Sequence, residues 1–256
     1  SNKEIMTIYA PNGLKTNVYL IGKVYDTFDG KQWKQLNRDT SNERLMDTAE
    51  TLYAAQRYDS QFLADYLHPV NLTITYRYFN TAFLFAPLKT AALMRDMDYL
   101  EFTQMGGSLF FDKKKGYGTE YEVTFYQINE GQEVFYQFLE AQQQEDKELL
   151  REVLANLERR TGEWVDEEDM EHYRQVIYEY YLSDVNLSEE VLKYLEKITE
   201  DARTEVEKLR AIEAELSTYT YSREIGELPE SVMDEGSFLE YFLLESRKGY
   251  CNYFAT

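Results

Sequence analysis

The 256 residues include 47 acidic and 27 basic side chains, a formal net charge of −20, and 43% of them are apolar; that length suffices for one large or two ordinary domains, each with its own core. So acidic a balance argues against a nucleic-acid partner, whose phosphates are neutralised by Lys and Arg, while 23 Tyr, 14 Phe and 2 Trp supply more large apolar surface than a disordered chain carries. No window approaches the roughly 18 consecutive apolar residues of a membrane helix, and a single cysteine, Cys251, excludes an internal disulfide and any multi-cysteine metal site.

The chain does not begin with Met, and Ser1-Asn2 reads as the remnant of a cleaved tag, so the sequence is expected to be an excised segment of a longer protein. Residues 1–130 carry 14 basic and 16 acidic side chains, residues 131–256 carry 13 and 31. In the first part the periodicity is mostly two. Extended runs at 17–21 and 23–28 lead into Asp29-Gly30, after which Lys31-Gln32-Trp33 resumes the alternation; Asp-Gly between such runs predicts a hairpin, because both central residues of that turn need positive φ. One helix is expected over Glu43 to Leu67, ended by His68-Pro69. Further strands are expected at Val70 to Phe79, Phe83 to Ala86, Tyr99 to Thr103, Ser108 to Phe111 and Glu120 to Ile128.

From about Glu133 the period becomes 3.6, first through Val134, Phe135, Phe138 and Leu139, then through Leu149, Leu150, Val153, Leu154 and Leu157. Later helices are predicted at Glu167 to Tyr181, at Ser188 to Thr199 with Ser188 as N-cap, and at Thr204 to Leu216. A Ser222 to Gly236 loop then separates a short extended Tyr219-Thr220-Tyr221 from Phe238 to Leu243. The architecture these elements predict is α+β, in three parts: a β-rich domain over 1–130 with a helical insert, a helical linker region over 131–201, and a final part over 202–256.

Several patterns suggest sites and read more simply as structure. Asp169 and His172 have the three-residue spacing of helical carboxylate-histidine metal ligands, but a dinuclear site of that kind needs a second pair. The other histidine, His68, is expected at a helix end, and acids in a first helical turn follow from the macrodipole alone. Lys113-Lys114-Lys115-Gly116 is read as a solvated hairpin tip, Asn71-Leu72-Thr73 as a chance sequon inside a strand, and Asp26 to Gly30 as a turn lacking calcium-loop ligands. No metal and no cofactor is expected.

The last ten residues differ. In Arg247-Lys248-Gly249-Tyr250-Cys251-Asn252-Tyr253-Phe254-Ala255-Thr256 the cysteine follows a Gly-aromatic pair at what reads as the first turn of a helix, with Phe254 as its first buried residue. A thiol there feels the positive end of a helix, which favours the nucleophilic thiolate, and Gly249 would let the chain turn sharply and a substrate backbone come close. Taken on these residues alone, Cys251 is either a nucleophile or an inert core thiol.

At these residues the sequence resembles the transglutaminase-like superfamily, whose nucleophile lies in a Gly-x-Cys-x-x-[Phe/Tyr]-[Ala/Ser] segment; Gly249, Cys251, Phe254 and Ala255 match it. Residues 202–256 carry the resemblance, through the Lys208 to Leu216 helix, Tyr219-x-Tyr221, a loop with Pro229 and Asp234, and Phe238-Leu239. Residues 22–33 and Phe83-Leu84-Phe85-Ala86-Pro87 resemble the domain that precedes this core in bacterial membrane-anchored members of the superfamily. The resemblance implies a papain-like core cut just past its nucleophile, an extracytoplasmic position in a membrane-anchored parent, and a cleft containing Gly249, Tyr250, Tyr219 and Tyr221. It further implies acyl transfer from, or hydrolysis of, protein or peptide amides by a Cys-His-Asp arrangement. Neither His68 nor His172 lies in the segment where the family carries its base, so the chain by itself is expected to be inactive. The alternative is a non-catalytic module that binds an extracellular protein or polymer.

Overall fold

In the computed structural model the described residues are 3–15, 17–25, 27–28, 33–35, 43–57, 67–128, 136, 146–181, 187–233 and 237–254. They form an α+β fold of two compact units, one made of 1–24, 36–135 and 143–177, the other of 25–35, 136–142 and 178–256.

In the first unit the two-residue periodicity becomes an antiparallel sheet. Strand β1 is Met6–Tyr9, β2 Leu20–Ile21, β5 Leu67–Tyr76, β6 Thr81–Phe83, β7 Ala86–Pro87, β8 Thr90–Arg95, β9 Asp98–Tyr99, β10 Thr103–Met105, β11 Ser108–Lys115 and β12 Glu120–Ile128. The main sheet has the order β1-β5-β12-β8-β9, a second has β10-β11-β6, and β2 pairs with β7. Leu72, Ile74 and Tyr76 on β5 and Tyr121, Val123 and Phe125 on β12 are buried together with Leu93, Leu84 and Phe111. Two buried phenols tie the β6–β7 stretch to this core: Tyr76 Oη donates to the Phe83 carbonyl at 2.7 Å, and Tyr121 Oη donates to the Phe85 carbonyl at 2.7 Å. Burial pushes both hydroxyls up, Tyr121 further through its neighbour Tyr76, so they remain protonated donors.

Helices α1 (Glu43–Arg57), α2 (Lys147–Thr161) and α3 (Glu167–Tyr181) supply the other core of this unit. Leu45, Met46, Ala49 and Leu52 pack with Leu150, Val153, Leu154 and Leu157, with Val165 and Met170 closing the cluster. Asp146 caps α2 by accepting from the Leu149 amide, and Gly162 ends it in the left-handed conformation. Arg174 on α3 pairs with Glu50 on α1 at 2.6 Å.

Several expectations change here. The α1 helix ends at Arg57, Leu67 already belongs to β5, and His68-Pro69 lies inside that strand instead of stopping a helix. Pro69 is tolerated because β1 pairs only with Thr73 to Tyr76, leaving the Pro69 end of β5 bonded on its β12 side alone. The expected Val70 to Phe79 strand is therefore shifted toward its N-terminus. Strands β1 and β8 were not expected. The expected Tyr99 to Thr103 strand is replaced by β9 and β10, which flank it. The three lysines close β11 instead of forming a hairpin tip, since pairing with β6 resumes at Lys115 after a register shift from Phe110. The lysine ammonium of Lys115 lies 5.5 Å from the Phe111 ring and 2.9 Å from Asp112. The Asp169 carboxylate accepts from the Asp166 amide, and that of Asp166 accepts from the Asp169 amide. Asn71 sits in β5 and accepts from the Thr124 hydroxyl at 2.8 Å.

In the second unit β3 (Thr27–Phe28) pairs antiparallel with β4 (Trp33–Lys34), the hairpin expected around Asp29-Gly30, whose turn residues lie outside the described ones. The period over 133–139 also falls outside them. The unit continues with α4 (Glu189–Ile198), α5 (Glu205–Leu216), β13 (Thr220–Tyr221), a 3-10 turn (Glu230–Met233), α6 (Ser237–Glu240), a π-helix (Tyr241–Ser246), β14 (Lys248–Gly249) and α7 (Cys251–Phe254). Ser188 caps α4 as expected, and Thr204 and Glu207 form a reciprocal capping box on α5. Among the described residues no helix is long and apolar enough to cross a membrane.

Candidate functional site

The five residues singled out around the cysteine all lie in the second unit, on or beside one aromatic core of Tyr219, Val232, Phe238, Phe242 and Tyr253. Parallel pairing of β13 with β14 sets Thr220 against Lys248 and Tyr221 against Gly249. The Thr220 amide donates to the Arg247 carbonyl at 2.9 Å and the Ser222 amide to the Gly249 carbonyl at 2.7 Å. The chain then turns into α7, whose first bonds run from the Tyr253 and Phe254 amides to the Tyr250 carbonyl.

Cys251 opens α7 and is exposed; its thiol donates to Asn252 Oδ1 at 3.7 Å. The described part of α7 is a single turn, so few peptide dipoles are aligned behind the sulfur. The buried residue of that turn is Tyr253, and Phe254 is only half-buried, the reverse of the expected order. Gly249 accounts for this. A Cβ there would lie 2.5 Å from Tyr253 Cβ and 2.6 Å from its Cγ, so the missing side chain lets Tyr253 seat against β14. The glycine thus serves a close contact within the protein, and its φ lies outside the left-handed region.

Tyr219 is a core residue. Its hydroxyl donates to the Leu243 carbonyl at 2.7 Å and its ring meets Phe242 edge-on at 5.5 Å. Tyr221 is exposed and stacks on Phe254 with centroids 6.2 Å apart. These rings line a shallow groove of about 420 Å³ with Glu213, Leu216 and Ser217. The groove therefore brings together Tyr219 and Tyr221, while Gly249, Tyr250 and Cys251 are not among its walls. Tyr250 is half-buried, its ring 5.1 Å from that of Tyr253.

One arrangement escaped the sequence. Arg247 adopts a left-handed conformation, φ 44°, at the end of the π-helix, where its amide donates to the Phe242 carbonyl at 3.1 Å. Its guanidinium donates to the Tyr194 hydroxyl and to Glu215 at 2.5 Å, and lies 5.0 Å from the centroid of the Tyr219 ring. Tyr194 in turn donates to Glu215 at 2.5 Å; burial, then the carboxylate, push its hydroxyl well above the usual phenol value. Arg247 is held above its ordinary value, chiefly by the bond to Tyr194. A charged clamp thus joins α4, α5 and the strand that leads to Cys251. Its members are 21, 32 and 53 positions apart, so no local spacing signals it.

Chemically, an exposed thiol on a braced strand end can attack an electrophilic carbonyl, provided a base removes its proton. Asn252 cannot do that. His68 and His172, the two histidines of the sequence, both belong to the first unit.

No family model matches the chain, and no curated protein sequence matches it. Among solved structures, the periplasmic domain of TgpA from Pseudomonas aeruginosa matches with a TM-score of 0.49 at 10% identity, covering 99% of this chain and 68% of that one. The same domain bound to ethylmercury matches with a TM-score of 0.42 at 10% identity, covering 99% of this chain and 69% of that one.

Proposed function

We propose that this chain is an extracytoplasmic part of a transglutaminase-like cysteine acyltransferase or peptidase, membrane-anchored in its parent, with Cys251 as nucleophile. The observation that carries the reading is the exposed thiol one residue beyond Gly249-Tyr250, at the start of α7, on a strand end held by β13 and by the Arg247 clamp. The residues Gly249, Cys251, Phe254 and Ala255 supply the family's segment.

In this reading a base takes the thiol proton, the sulfur attacks the carbonyl of a glutamine side chain or peptide amide, and the C–N bond breaks as the nitrogen leaves protonated. The thioester then passes its acyl group to an amine or to water. The base and its orienting acid are assigned to residues other than these 256, because Asn252 is no base and neither His68 nor His172 lies in the segment where the family carries its base. Residues 202–256 are then the front of a papain-like core, 131–201 a helical connection and 1–130 an outward-facing β-rich domain. The Tyr219–Tyr221–Phe254 groove is a place for a substrate side chain.

Iodoacetamide labelling followed by mass spectrometry tests this. In a longer form of the protein that contains the family's histidine, Cys251 is expected to react far faster than free cysteine near neutral pH, and Cys251→Ser to remove the label. An inert thiol there would overturn the enzyme reading in favour of a non-catalytic binding module. Turnover of a glutamine-donor peptide by the present chain at the longer form's rate would refute the assignment of the base elsewhere.

A further inference from the structure

The first unit contains a cavity of about 530 Å³ whose walls include Arg44, Leu93, Leu100, Phe102, Glu101 and Glu163. That volume lies within the roughly 300–1,000 Å³ of small-molecule sites. Arg44 stands at the second position of α1, with its guanidinium 4.9 Å from the centroid of the Phe102 ring. Its Nε is buried and has no hydrogen-bond partner, and among the described residues no carboxylate lies within ion-pair distance of it. Asp47, the acid one turn along α1, is committed to Lys89 at 2.5 Å.

A guanidinium in this position is energetically incomplete. Desolvation lowers its pKa to about 10, against the opposing pull of Asp47 and Glu163. A half-buried cation without an ion-pair partner is unfavourable, and an anion bonded to it offsets that penalty. Phe102 covers one face of the guanidinium and the Nε is closed off, leaving the terminal Nη1 and Nη2, which have no hydrogen-bond partner among the described residues, as the edge that can present two donors to a carboxylate.

The rest of the wall selects among anions. Leu93 and Leu100 are apolar, and they suit a hydrocarbon body. Glu101 and Glu163 are exposed, and the whole chain carries −20, so a second negative charge on the ligand would meet repulsion. We propose that this cavity binds a small monocarboxylate with an apolar body, its carboxylate paired with Arg44 and its hydrocarbon part against Leu93, Leu100 and Phe102. The carboxylate can come from a free organic acid or from the C-terminus of a short apolar peptide. Arg44 belongs to the first unit and Cys251 to the second, and the proposal does not rest on the role proposed for Cys251.

Titration calorimetry on the full chain tests it, with 4-phenylbutyrate, its neutral amide, phenyl phosphate and the peptide N-acetyl-Ala-Ala-Phe as probes. At least one of the two monocarboxylates is expected to saturate one site with a Kd of about 1 mM or tighter. The amide and the phosphate should bind at least tenfold more weakly. The tighter of the acid and the peptide identifies the source. Arg44→Met should lower monocarboxylate affinity at least tenfold while melting no lower than wild type, because it removes a half-buried cation that has no ion-pair partner among the described residues. Glu163→Gln, an exposed change, should tighten binding about two- to fivefold. Equal binding of acid and amide, undiminished affinity in Arg44→Met, a lower melting temperature for that variant, or no saturation by about 10 mM of either monocarboxylate would each overturn the proposal.

Discussion

The sharpest consequence of the site's geometry concerns Gly249. Replacing it by alanine puts a methyl 2.5 Å from Tyr253 Cβ, 2.6 Å from Cγ and 2.8 Å from Cδ1, where ordinary contact begins at 3.4 Å. The nearest of these atoms is a Cβ, which no rotamer moves, so β14 and α7 must separate by about 0.9 Å, the difference between 3.4 and 2.5 Å. Overpacking of this kind costs about 1–3 kcal/mol, and the need to move backbone places it toward the upper end. Because the φ of Gly249 is accessible to alanine, the substitution also gains about 0.4–1 kcal/mol by restricting the unfolded chain. The expected net loss is about 2 kcal/mol in urea denaturation. A Tyr253→Gly background removes the three nearest atoms, and there the Gly249→Ala penalty should shrink to below about 0.5 kcal/mol, a coupling visible in the double-mutant cycle. On the enzyme reading proposed above, a shift near 1 Å should reduce turnover of the longer form by up to about 100-fold. A loss below about 0.5 kcal/mol in the wild-type background, or additive effects in the cycle, would refute the reasoning.

Three other outcomes follow from the same structure. Arg247→Gly should be more stable than Arg247→Ala by about 1 kcal/mol in urea melts, since both lose the clamp and only alanine keeps a side chain at φ 44°; equal stability would contradict the strain. Tyr219→Phe leaves the Leu243 carbonyl without its 2.7 Å donor and should cost about 1–2 kcal/mol, whereas Tyr221→Phe on the exposed neighbour should stay within about 0.5 kcal/mol. His68 is held below its ordinary 6.5, first by burial and then by Lys15, against the opposing influence of the Gln127 side chain. The unfolded chain therefore takes up the proton first, so the stability due to neutral His68 is complete above about pH 6.5 and is lost as pH falls through the lower, folded-state value. Wild type should lose more stability than His68→Gln between about pH 7 and 5, and parallel curves would count against this.

Where the determinants are local, the sequence was legible. The 3.6-residue period and the acids of the first turn place α3 at Glu167–Tyr181, and Ser188 is read correctly as a cap because its hydroxyl bonds an amide three residues on. Strand β12 alternates cleanly and runs over Glu120–Ile128 as expected. Strand β8, Thr90–Arg95, carries two alanines and no alternation, and its extended form comes from pairing with β12 and β9. Pro69 reads as a helix stop until the pairing of β1 shows that one side of β5 is open there. At the candidate site Gly249 and Cys251 are visible as a motif, but the reason for the glycine is a tyrosine four residues later. Tyr194 and Glu215 become partners of Arg247 only when α4 and α5 have folded.

Backbone irregularity gives an independent reason to look at the segment before Cys251. Besides Arg247, the described non-glycine residues with positive φ are Lys89, Asp96 and Met97. Lys89 lies in the turn joining β7 to β8, and Asp96 and Met97 form the turn between β8 and β9; tight connections of that kind commonly use this conformation. Arg247 ends the π-helix in the left-handed conformation common at helix C-termini, where glycine is the usual residue. Both the π-helix and the left-handed arginine are unfavourable locally and persist only where surrounding contacts impose them. Here those contacts are the Glu215 and Tyr194 bonds, the β13 pairing and the seat of Tyr253 on Gly249. Those contacts fix where the chain turns from β14 into α7, and Cys251 and Asn252 are the exposed residues at that turn.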